Sequence, residues 1–161
     1  MGQRLNYAKA APAGYNALDA LDTYVENCAL EPLLKELVRM RASQLNGCAY
    51  CLDMHSKDAR AQGETEQRLY GLTAWREAPY YSPRERAALL WTEEITLIGE
   101  THASDAVYEE VREHFTDEEL VNLTLAIITI NAWNRLAVSF RSQPGHYKSS
   151  KKPVIAAESM G

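Results

Sequence analysis

The segment from Thr116 to Arg141 most constrains the fold. Thr116-Asp117-Glu118-Glu119 is a helix-start pattern with acidic residues in the first turn. The run Leu123-Thr-Leu-Ala-Ile-Ile-Thr-Ile130 that follows is apolar nearly all round. A long helix without a polar face must be wrapped by other elements, so it belongs at the centre of the fold. The rest of the chain offers wrapping helices. Leu18, Leu21 and Val25 share one side of a segment from about Asn16 to Cys28. Pro32 suits the first turn of a helix over 32–46, whose apolar arc includes Leu33, Leu37 and Met40. Asn46-Gly47 stops it, and a third helix runs from about Cys48 to Gly63. A short helix is expected over Thr65–Leu72. A longer one begins at Ser82-Pro83, where Glu85 completes a capping box, and runs to about Gly99. Ser104 or Asp105 opens a shorter one that ends near His114. Alternating, strand-like runs are scarce. The expectation is an all-α single-domain bundle of about six or seven helices over 16–147. Residues 1–15 read as an extended N-terminal arm and 148–161 as a C-terminal tail.

The 161 residues suffice for one domain with one core. The formal net charge of −5 does not suggest a cationic surface for nucleic acid or anionic lipid, and neither partner is expected. No uninterrupted apolar run reaches the roughly 18 residues of a membrane span, and Met1–Ala11 lacks the apolar stretch of a signal peptide. A cytoplasmic protein is expected. Three cysteines, Cys28, Cys48 and Cys51, are too few and too odd in number for a secreted disulfide framework. A close pair in a reducing compartment points to redox chemistry or metal binding.

Cys48-Ala49-Tyr50-Cys51 stands just after the Asn46-Gly47 stop, in the first turn of a helix. Residues three apart on a helix lie roughly 5–6 Å apart at Cβ, whereas a disulfide needs about 3.5–4.5 Å. A first turn can adjust to close that gap, and its free N–H groups favour a thiolate. His55 follows Cys51 by four residues, on the same helical face, where an imidazole can take up the thiol proton. Glu36, at the edge of the buried face of the preceding helix, is the carboxylate best spaced to orient that histidine. A zinc site built from Cys48, Cys51, His55 and Glu36 is the competing reading, although no second C-x-x-C or histidine pair supports it. Cys28 reads as a structural thiol. His102, His114 and His146 read as surface or structural, and Asp53 and Asp58 as lying on the solvated side of their helix. Trp133 and Asn134 are candidates for a wall of the site.

The segment Glu36 to His55, a glutamate twelve residues before C-x-x-C-x-x-x-H, resembles the AhpD-like alkylhydroperoxidases of the carboxymuconolactone decarboxylase superfamily. Glu64–Tyr70 and Asn131–Ala137 also look like this family, and the resemblance covers roughly residues 15–147. It implies an AhpD-like bundle, homo-oligomers (often trimers or hexamers) and thiol-dependent reduction of alkyl hydroperoxides. By resemblance, Cys51 attacks the peroxide, Cys48 resolves the sulfenic acid, and His55 with Glu36 relays the proton. No metal or bound cofactor is implied, but an external thiol or thiol protein must re-reduce the disulfide. The well-studied peroxidases carry a histidine directly before the second cysteine, where this chain has Tyr50, a poor base near neutral pH. That departure keeps a second reading open: a redox-sensing or metal-binding interaction protein with little turnover. A nonredox lyase of the decarboxylase type is less consistent with the cysteine pair.

Overall fold

In the computed structural model, residues 2–154 are described. Helices account for all the regular structure among them. In chain order they are α1 (Tyr7–Ala10), α2 (Pro12–Asn27), α3 (Pro32–Leu45), α4 (Ala49–Gln62), α5 (Glu66–Tyr70), α6 (Pro83–Thr96), α7 (Ile98–Thr101), α8 (Asp105–Arg112) and α9 (Asp117–Phe140). A 3₁₀ turn over Gly71–Ala74 extends α5.

α9 is the axis, as its sequence requires, with α2, α3, α4 and α6 packed on it. By length and composition it is apolar enough to cross a membrane, although nearly half of that stretch is buried among the other helices. No uninterrupted apolar run marks it, because threonine and asparagine break the run without making the helix polar. Leu123 and Ile127 meet Leu34, Val38, Ala88 and Trp91 in the principal core. Further along, Ile130 and Ala137 pack with Ala42, Cys48 and Cys51. The capping boxes at Ser82/Glu85 and Thr116/Glu119 both form.

The helix count exceeds the expected six or seven because two single-turn helices, α1 and α7, are individually too short to carry periodicity. The N-terminal arm is not extended. The Asn6 side chain caps α1 by accepting from the Lys9 amide, and Pro12 sits at the first turn of α2 rather than breaking it. The expected tail is not loose where it is described. Residues 144–154 lie along α4, with the Gly145 amide on Asp53, Lys57 on the Tyr147 carbonyl and the Val154 amide on the Gln62 carbonyl. The rest of that tail lies outside the described residues.

Candidate active site

α3 and α4 form a hairpin whose turn delivers the cysteines. Gly47 takes φ +64°, a conformation glycine adopts without steric penalty, and the Cys48 amide then donates to the Ser43 carbonyl. Cys48 is the N-cap of α4, and its sulfur accepts from the Cys51 amide at 3.3 Å. Both cysteines are free thiols, each 1% exposed, and their side chains are hydrogen-bonded to each other. Asn134 of α9, fully buried, stands beside both sulfurs and pulls both thiols down. It is held in place by donating to Ser43 Oγ at 3.0 Å and accepting from Asn46 Nδ2 at 2.9 Å.

The two thiols are electrostatically unequal. The hydrogen bond from Cys51 lowers Cys48 against the opposing effect of burial, and the Cys51 amide and Asn134 help, bringing it to about 7. Cys51 is pushed up, first by its hydrogen bond to Cys48, then by burial and by the Cys48 charge. Of the two thiols, Cys48 is therefore the more readily ionised.

One turn on, His55 Nδ1 lies 3.0 Å from Glu36 Oε2 on α3. Glu36 is 1% exposed. Burial pushes its carboxyl up, but the hydrogen bond and charge of His55 and the Arg39 guanidinium outweigh it and the net shift is downward. Arg39 reaches Glu36 at 2.8 Å and Glu26 of α2 at 3.0 Å, with Asp22 at 3.5 Å. Glu26 in turn receives Lys151 from the C-terminal arm. A chain of alternating charge thus runs from His55 to the arm.

Cys51 and His55 open on a cavity of about 190 Å³. Tyr7, Tyr15, Tyr50, Met54 and Trp133 wall it, and Asp19 and Asp22 stand at its side. Trp133 meets Tyr15 edge-on at 5.4 Å. Cys48 does not line this space. The Tyr50 phenol is raised by burial first, then by Tyr7 and Cys51, so it keeps its proton and has an O–H to donate.

Glu36, Cys48, Cys51, His55, Tyr50, Trp133 and Asn134 are thus brought together. The zinc set inferred from spacing is not what converges. Among the described residues, the ligating atoms that lie within 4.8 Å of one another belong to Glu36, His55 and Asp58. These carboxylates already accept from Arg39, Tyr147 and Ser149. Asp58 corrects the reading that placed it on the solvated side: it is 5% exposed, because the C-terminal arm covers it. Asp53 is half-buried for the same reason, bonded to Lys57 and the Gly145 amide. Arg39 also escaped the sequence reading, although its place three residues after Glu36 is the helical spacing for an ion pair. The aromatic wall from Tyr7 and Tyr15 carried no local signal. Cys28 is partly buried against the principal core, away from the pair.

The sequence model of the Carboxymuconolactone decarboxylase family matches residues 10–94, and the chain belongs to that family. It is 45% identical over 139 residues to the Bacillus subtilis uncharacterized protein YdfG, covering 86% of this chain and 95% of that one. The crystal structure of a protein of unknown function from Agrobacterium tumefaciens is similar at 47% identity and TM-score 0.88, over 91% of this chain and all of the other. A peroxidase-related protein from Ralstonia eutropha, described as an alkylhydroperoxidase AhpD core, is similar at 22% identity and TM-score 0.75, over 86% of this chain and 74% of that one. At that identity the likeness concerns the fold alone.

Proposed function

We propose that the protein is a thiol-dependent hydroperoxidase. The observation that carries this reading is a hydrogen-bonded thiol pair whose Cys51 faces the same cavity as His55, with His55 held by a buried glutamate. Membership of a family named for a decarboxylase leaves a lyase open, but a lyase has no use for two adjacent thiols with one poised near neutrality.

Cys51 is the harder thiol to ionise, so attack begins by moving its proton to Cys48 or to the His55 ring. The Cys51 thiolate then attacks the distal oxygen of ROOH. The O–O bond breaks, the S–O bond forms, and the alkoxide leaves as ROH after taking up a proton. Cys51 is now a sulfenic acid. Cys48, readily deprotonated near pH 7, attacks the Cys51 sulfur and displaces hydroxide, which leaves as water. The balance is ROOH plus two thiols giving ROH, water and a disulfide. An external dithiol supplies two electrons to restore the pair. Asn134 and Tyr50 serve as hydrogen-bond donors to the charge that develops on sulfur and on the leaving oxygen. We extend the proposal to a homo-oligomer in the cytoplasm; the exposed Val121, Ile128 and Val138 of α9 offer an apolar face for a second copy.

The test is single-turnover oxidation by cumene hydroperoxide. Wild type and Cys48→Ser should each release one equivalent of alcohol, with a dimedone-trappable sulfenic acid persisting only in Cys48→Ser. Cys51→Ser should release none, and alcohol formed there at the wild-type rate would sink the assignment. Disulfide formation without turnover by any dithiol donor would favour the redox-sensing reading.

A further inference from the structure

Asp58 is a buried carboxylate that the proposed chemistry leaves unused. It lies three residues after His55 on α4, on the same face. One of its oxygens lies within 4.8 Å of a Glu36 oxygen and of a His55 ring nitrogen. Two carboxylates so close in a site this buried repel each other. A merely structural anchor for the C-terminal arm would be served as well by a neutral acceptor such as asparagine, without the repulsion. The pairing becomes favourable when a positive charge arrives between them, as it does when His55 receives a proton.

The arm is arranged to keep Asp58 there. Tyr147 Oη donates to Asp58 Oδ1 at 2.8 Å, and Ser149 Oγ donates to the same oxygen at 2.5 Å. The Lys57 ammonium bonds the Tyr147 carbonyl at 3.0 Å and fixes the arm beside α4. A second line of contact runs from Lys151 through Glu26 and Arg39 to Glu36. The same segment of 144–154 therefore grips both carboxylates that flank His55, one directly and one through a chain of three ion pairs.

We infer that Asp58 is a positioning residue for the His55–Glu36 proton relay, and that the C-terminal arm, through Tyr147 and Ser149, holds it in place. This rests on the thiol-redox reading of the site. The charged and titratable groups around His55 are Glu36 and Arg39 of α3, Cys51 and Asp58 of α4, and, through Arg39, Asp22 and Glu26 of α2. The arm adds Tyr147 and Lys151; Asp19, Asp22 and Tyr15 of α2, Tyr7 of α1 and Tyr50 of α4 face the same cavity; and α9 contributes the neutral Trp133 and Asn134.

The full-length protein is tested by two rates across pH: oxidation of the reduced pair by cumene hydroperoxide, and alkylation of Cys48 and Cys51 by iodoacetamide. Asp58→Asn keeps an oxygen for both arm hydroxyls but removes the charge. Tyr147→Phe with Ser149→Ala keeps the charge but releases it. Each should slow peroxide oxidation by about tenfold, the scale of a displaced catalytic group, and should move the pH–rate profile of alkylation to higher pH. Ser149→Thr, which retains the hydroxyl, should match wild type. Profiles that superimpose on wild type in both variants, even with a lowered melting temperature, would overturn the inference and leave the arm a structural strap. If the double variant does not fold, Asp58→Asn alone decides by the same criterion. If wild type ignores peroxide but the alkylation profile still moves, the hydroperoxidase reading fails and the positioning role stands.

Discussion

Along α4, the sulfur pair and the histidine one turn further on are held in different ways. Cys48 and Cys51 are set mainly by their own neighbourhood: Gly47 turns the chain, Ser43 takes the Cys48 amide, and Cys48 caps the helix. His55 and Asp58 depend on remote segments, Glu36 from α3 and Tyr147 and Ser149 from the arm about ninety residues on. On the proposed reading, the helix start makes a nucleophile from local geometry, and the middle of the helix becomes a proton carrier only when the tertiary fold closes over it. Damage to the second region should therefore remove chemistry while leaving the pair able to form a disulfide.

Glu36→Gln should separate the two most strongly. Peroxide oxidation of the pair is expected to fall by about 10²–10⁴, the usual range for losing a proton-transfer partner, while a disulfide oxidant such as diamide still closes Cys48 to Cys51. Equal loss in both assays would mean that the two regions are one unit. Arg39→Met tests the outer end. It leaves Glu36 and Glu26 without their common cation, and an uncompensated buried charge costs about 3–5 kcal/mol, read as a lowered urea midpoint. Asn134→Ala acts on the sulfur end alone. The Cys48 thiol, held down to about 7, should rise by roughly one pH unit without Asn134, the scale of a lost hydrogen bond to a charged group, and a thiolate-absorbance titration would check it. The smallest expected effect is acid sensitivity. Glu26 is lowered from 4.5 to about 2, since Lys151 and Arg39 outweigh the upward push of burial, and Glu36 is lowered too. Depressed carboxylates stabilise the fold above their unfolded values, so stability should be flat from neutrality to about pH 5 and decline from there toward pH 2. A decline beginning near neutrality would point elsewhere.

What the sequence displayed follows the same division. The central helix with its start at Thr116, the capping box at Ser82 and the cysteine turn rest on short-range patterns, and they are present as read. Spacing makes Glu36 a candidate, but its part in a relay comes from family resemblance, because helical geometry places it only at the edge of a buried face. Asp58 was misjudged because the polar face of α4 is covered by a segment with no periodicity of its own. The start of α2 was misplaced because Pro12 and Gly14 read as breakers, although proline at a first helical turn gives up no hydrogen bond. Tyr7 and Tyr15 were missed because nothing near them in sequence marks a cavity wall formed with α4 and α9.

The central claim is that the Cys48–Cys51 pair reduces a hydroperoxide stoichiometrically. Intact-mass and peptide mapping after one equivalent of cumene hydroperoxide tests it most directly. The account predicts loss of two thiols and formation of a Cys48–Cys51 disulfide, with Cys28 still reduced and one equivalent of alcohol released. Unchanged thiols at Cys48 and Cys51 beside intact peroxide would contradict it.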